Sequence, residues 1–138
     1  MADLAPTAAS VVAEDGAVTK SEHIAGATIA AGDWLYMDTA NSNVMKLAQA
    51  DGTALEATVY GMALNSASTG QPVLVARAGD VDFGCTITVA AVYILSVNAG
   101  KIAPVADLVS SSYLSIVGYG TAADNLTIAI QNSGVEKP

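Results

Sequence analysis

The chain has 138 residues, 52% of them hydrophobic and only 13% charged, with five Lys and Arg against thirteen Asp and Glu for a formal charge of −8. One domain with a real core fits that length, and charge so sparse leaves apolar surface available for partners. The balance excludes direct nucleic acid contact, which needs clustered cations, since Lys20, Lys46, Arg77, Lys101 and Lys137 are scattered.

No membrane span is expected, because the longest apolar stretch, Ile87 to Val97, is interrupted by Thr88 and Ser96 and is shorter than the ~18 residues that crossing requires. The amino terminus, MADLAPTAAS, has no basic residue and no continuous apolar block, which predicts a mature cytoplasmic start. A single Cys85 excludes an intrachain disulfide and a multi-thiolate zinc site, and its apolar neighbours predict a small buried hydrophobe.

Residues 1–13 read as an extended arm, with Pro6 opposing a helix, and residues 14–138 as one β domain. Glu14, Asp15 and Gly16 suggest a turn between short β-like pieces. In the stretch from Ala27, Trp34 to Met37 and Val44 to Leu47 read as strands around a turn at Asn41 to Asn43. Trp34 and Tyr36 fall on one face and Leu35 and Met37 on the other, so neither face is open to water and the strand is internal or part of an oligomer contact. Gln49 to Glu56 is a loop or one short helical turn.

Thr58 to Leu64 and Pro72 to Ala76 form a hairpin whose connection carries Asn65, Ser66, Ser68, Thr69 and Gly70. Pro72 suits the first residue of a strand. Gly79 to Gly84 alternates Asp80 and Asp82 with Val81 and Phe83, a half-solvated strand, and Cys85 to Val97 reads as strand through CTITV and VYILSV. Lys101 to Val105 returns, limited to an edge by Pro104. Tyr113 to Tyr119 and Asn125 to Ile130 are the last strands before a polar tail from about residue 131.

The order of elements in Gly32 to Leu47 recurs in Ala91 to Val105, and the segment around Gly61 recurs around Gly118. The spacing of about 57–59 residues exceeds that of most solenoid repeats. Two similar halves within one barrel or sandwich follow, all β, with short strands and at most one short helix.

Groups able to carry chemistry are few. His23 is the only histidine, no serine sits in a Gly-x-Ser-x-Gly elbow, and no glycine-rich loop precedes a helix with Lys and Ser or Thr. Asp38 with Asn41 and Asn43, and Asp80 with Asp82, lack the spacing of a calcium loop and read as an Asx-type turn and a solvated strand face. No enzyme activity, metal or cofactor is expected; a hydrolase would require His23.

Ala31-Gly32-Asp33-Trp34-Leu35-Tyr36, the segment Val59 to Val75 with its Gly70-Gln71-Pro72-Val73, Tyr93-Ile94-Leu95-Ser96, Gly100-Lys101-Ile102-Ala103-Pro104-Val105 and Ile116-Val117-Gly118 occur in an order that resembles the head decoration, or capsid cement, proteins of tailed bacteriophages. The resemblance covers about Ala27 to Gly134. It implies a compact β domain, commonly trimeric, on the outer surface of an expanded virion head, bridging subunits of the major capsid protein. It also implies an N-terminal arm that reaches onto the lattice, here Ala2, Asp3, Leu4, Ala5, Pro6, Thr7, Ser10, Val11 and Val12. Trp34, Tyr36, Tyr60 and Tyr113 are the aromatic candidates for oligomer or partner contacts. The other reading of a β module without chemistry is a carbohydrate- or receptor-binding domain on a virion or cell surface, which predicts an exposed groove lined by Trp34 and Tyr36.

Overall fold

A computed structural model describes residues 2–13 and 18–138. The turn expected at Glu14, Asp15 and Gly16 lies outside the described residues. The chain is all β, in one curled antiparallel sheet: β1 (Val12–Ala13), β2 (Thr19–Ile24), β3 (Trp34–Asp38), β4 (Val44–Leu47), β5 (Gly61–Ala63), β6 (Pro72–Asp82), β7 (Val92–Leu95), β8 (Ile102–Pro104), β9 (Tyr113–Gly120) and β10 (Asn125–Glu136). The strand order is β4-β3-β5-β6-β10-β9-β7-β8, with β1 and β2 also paired to β6. Among the described residues two three-residue 3-10 turns, Ala8–Ser10 and Val105–Asp107, are the helical elements.

The expected duplication holds at the level of individual pairings. In the first half Leu35 faces Gly61 and Leu47, and in the second Tyr93 faces Gly118 and Pro104. Met62 faces Ala76 as Tyr119 faces Thr127. Loop contacts repeat too: Gly32 N–H donates to Ala63 O as Ala90 N–H does to Gly120 O, and Ile29 to Ala67 as Ile87 to Ala123. Asp38 accepts from the Ala40 amide where Ser96 Oγ accepts from that of Asn98. The shared glycine has a steric cause. A Cβ on Gly61 would lie 2.5 Å from the Ala76 carbonyl oxygen, and one on Gly118 closer still to that of Thr127.

The repeat also explains β6, which is longer than the hairpin strand read from Pro72 to Ala76. Gly79 to Asp82 is not a separate strand. It continues β6 and pairs with β10 as β2 pairs with the first part of β6, so the last strand of one repeat is the first strand of the next. Val81 and Phe83 are buried and Asp80 is exposed, as alternation requires.

Two other expectations are corrected. Cys85 to Ala91 is loop, because Gly84 and Ala90 take positive φ and the Ile87 amide bonds Ala123 instead of a strand neighbour; only Val92–Leu95 pairs. The polar tail from 131 is strand, since β10 runs to Glu136 and exchanges backbone pairs with β9 through two irregularities. Gln131 to Glu136 is polar because it is exposed, not because it is unstructured. Pro72 opens β6 and Pro104 ends β8 at the limit of the sheet, as their missing N–H groups favour.

The alternation read at β3 sorts two cores. Trp34 and Tyr36 enter the larger one with Met62, Phe83, Tyr93, Leu95, Val117 and Leu126, and Leu35 enters the smaller one with Ile29, Met45, Val73 and Val75. The two chain ends meet at neighbouring residues: Ala2 N donates to Asp107 Oδ2 at 2.7 Å, and Lys137 Nζ donates to the Leu108 carbonyl at 2.7 Å.

Candidate functional site

The arm is extended, but it lies on its own domain. The first repeat closes directly, with the Gly26 amide donating to Met45 O at 2.7 Å and β4 crossing so near Gly26 that a Cβ would strike Val44. In the second repeat the corresponding groups do not meet, and the arm fills the gap: Leu4 N–H donates to Ile102 O at 2.9 Å, and Thr7 N–H to Gly84 O at 3.0 Å. A Cβ on Gly84 would meet the Thr7 carbonyl, as one on Gly32 would meet Pro6.

Polar contacts fix the arm further. Asp3 accepts from Ser96 Oγ at 2.6 Å and from Asn98 Nδ2 at 2.5 Å. Ser10 belongs to the 3-10 turn, Val11 is buried in the main core, and Val12 opens β1 opposite Asp82 with its side chain exposed. The described residues of the arm, 2–13, thus pack on the domain that follows them. Val11 belongs to the core, and Leu4, Ala8 and Ala13, partly buried, pack against it, covering strand edges and glycine surfaces that would otherwise face water.

The aromatic candidates divide. Trp34 is wholly buried, tilted against Phe83 at 6.1 Å between centroids, and its Nε1 has no hydrogen-bond partner. Tyr36 is buried as well, and that burial pushes its phenol above the ordinary value. As members of the core they are removed from the contact candidates, and the glycan groove they would have lined is not formed. An apolar residue on both faces reflects a strand between two cores. Tyr60 and Tyr113 are half-buried, while Tyr119, which the sequence reading passed over, is exposed.

Tyr60 anchors a stack. The Arg77 guanidinium lies 3.8 Å from the ring centroid, with Nε donating to the Tyr60 carbonyl at 3.2 Å, and His23 meets the ring edge-on at 5.0 Å. Partial burial, with the positive Arg77 beside it, holds the imidazole below its ordinary value. Ser21 Oγ is 2.9 Å from His23 Nε2, yet the two are alternate residues of one strand, and among the described residues no carboxylate orients the ring as a nucleophile's base requires.

Arg77 stands where β6 leaves β5 and joins β10. The β5 ladder ends at Ala76, the β10 ladder begins at Ala78, and Arg77 belongs to neither. A crevice of about 610 Å³ opens there, lined by Val59, Arg77, Ala78 and Ile128 to Asn132, and a second of about 240 Å³ shares Val59, Arg77 and Asn132. The Asn132 amide bridges the far end, accepting from Val59 N–H at 2.9 Å and donating to Val59 O at 3.1 Å in place of a strand neighbour.

A third surface lies along β10. Beyond Ala129 the strand has no ladder partner on its β6 side among the described residues, and every residue from Gln131 to Glu136 is exposed. Leu108, Leu114, Val135 and Pro138 line an almost wholly apolar crevice of about 390 Å³ beside it. Val135 is 63% exposed.

The carboxylates weighed for calcium are engaged within the fold. Asp38 accepts from Asn41 Nδ2 and pairs with Lys46 Nζ at 2.8 Å, contacts that hold its carboxyl below the ordinary value, with Ser42 and Asn43 at positive φ completing the turn. Asp80 accepts from Thr127 Oγ1 and Asp82 from the Gly84 amide. Cys85 is half-buried, which raises its thiol. Among the described residues no group of three His, Cys, Asp or Glu is placed to hold a metal ion. No protein-family model and no curated protein matches the chain.

Proposed function

We propose that this chain is a non-enzymatic decoration protein of a tailed-phage head, a homotrimer that binds the outer surface of the expanded capsid and bridges neighbouring major capsid protein subunits. The observation that carries the reading is the open side of β10, a long exposed edge with Val135 and an apolar crevice beside it. Unpaired edges invite strand addition, and exposed apolar patches mark surfaces that bind. The motifs that resemble cement proteins run through the same repeats, and the net charge of −8 suits an exterior site away from packaged DNA. A trimer touching several capsid subunits at once gains from multivalency, and a ligand of the expanded lattice alone favours that lattice.

The experiment is co-sedimentation of the purified protein with expanded heads lacking it, compared with unexpanded heads. Saturable retention on expanded heads, reduced by Val135→Asp, is expected. No retention by the folded native chain overturns the reading. Occupancy after deletion of Met1 to Ser10 tests whether the arm serves the lattice as well as its own domain.

A further inference from the structure

We propose that the fork at Arg77 is an anchor site for a carboxylate side chain carried on an extended segment of a partner protein. Arg77 is the chain's only arginine in a molecule of net charge −8. Among the described residues the ion pairs are Lys46 with Asp38 and Lys101 with Asp33, and neither involves Arg77. An arginine amid so many carboxylates would ordinarily be paired. This one is held instead by the Tyr60 ring and the Tyr60 carbonyl, which engage its face and its Nε and leave the terminal nitrogens, the bidentate end, for a ligand.

The second observation is the crevice itself. Because β6 exchanges one neighbour for another at this residue, the sheet opens beside the guanidinium and nowhere needs to deform to admit a side chain. Its walls, Val59, Ala78, Ile128 and Ala129, are apolar, and Gln131 adds an exposed amide at the rim. A glutamate or aspartate fits that chemistry: methylenes against the walls, oxygens on the two guanidinium nitrogens. Tyrosine and arginine, which meet here along the adjoining smaller crevice, are also residue types that dominate binding energy at interfaces. A monoanion suits the site better than phosphate, since the acidic remainder of the molecule repels a dianion more strongly.

The site can be read without any capsid. Isotope-labelled full-length protein is titrated with the blocked peptide acetyl-Ser-Ser-Glu-Ser-Ser-amide, a monoanion, and followed by amide shifts. Saturable shifts confined to Val59, Arg77, Ala78 and Ala129 to Asn132 are expected, at least tenfold weaker in affinity for the glutamine version of the peptide and for Arg77→Gln. Arg77→Lys, which keeps the charge and loses the fork, should fall between them. The proposal is overturned by shifts that are absent or scattered, by equal binding of both peptides, or by inorganic phosphate displacing the peptide at equal concentration. It is equally overturned if the unliganded protein self-associates through these residues and Arg77→Gln abolishes that association, since a second copy is then the occupant.

Discussion

The Leu4 amide donates to the Ile102 carbonyl at 2.9 Å, at the place where, one repeat earlier, Gly26 donates to Met45 at 2.7 Å. One contact is made by chain that follows directly from β2, the other by an arm nearly a hundred residues away in sequence. Leu4→Pro removes the donor and leaves a carbonyl unpaired, so a loss of about 1–3 kcal/mol is expected in denaturant unfolding. Faster amide exchange along β8 should accompany it, and an unchanged midpoint would show that the arm does not close the second repeat.

Gly61 and Gly118 each sit against the carbonyl of the adjacent strand. Gly118→Ala should cost about 1–3 kcal/mol by forcing β9 away from β10, because backbone cannot yield as a flexible side chain does. Gly61→Ala should act in the same direction between β5 and β6. Thermal unfolding of both variants checks the equivalence; tolerance at Gly118 would count against it.

Trp34→Ala removes the largest fully buried side chain and should cost about 3–5 kcal/mol. Tyr119→Ser, at an exposed position, should stay within about 0.5 kcal/mol. Near-equal unfolding midpoints for the two variants would mean that the tryptophan is not core.

His23 has a folded-state pKa below its ordinary 6.5, through burial first and Arg77 second. Between those two values the unfolded chain binds more protons, so stability should decline as pH falls through 6.5 toward the folded value and then level off for this group. Asp38, lowered chiefly by its bond to Lys46, acts in a more acidic window: its contribution is present above the ordinary 3.8 and is lost as pH falls toward its folded value. Unfolding at pH 7.5 and 5.5 should therefore show a slope that His23→Gln flattens, whereas Asp38→Asn should leave the slope in that range unchanged.

Strand positions were legible because their physics is local. Alternation at Trp34 to Met37 sorted the two cores, the prolines marked a strand start and an edge, and the repeat could be followed from Gly61 to Gly118. The stronger signal, Gly26-Ala27-Thr28-Ile29 against Gly84-Cys85-Thr86-Ile87, is masked by the β-branched run after Cys85, which resembles a strand. Only the positive φ values at Gly84 and Ala90 and the Ile87 to Ala123 bond make it the loop that its counterpart already is. The arm's docking and the fork at Arg77 depend on long-range register. Neither an extended segment with Pro6 nor a lone arginine in a strand says which edge it will meet.

Asp107 and Leu108 receive the two ends of the chain side by side, so the polypeptide is close to a ring. A short peptide joining Pro138 to the amino terminus would leave the sheet undisturbed, and new ends could be cut in the connection between β5 and β6. The same adjacency sets the direction of mechanical load: a pull on both ends meets the molecule at one corner and bears first on the arm's bond to β8 and on β10 against β9.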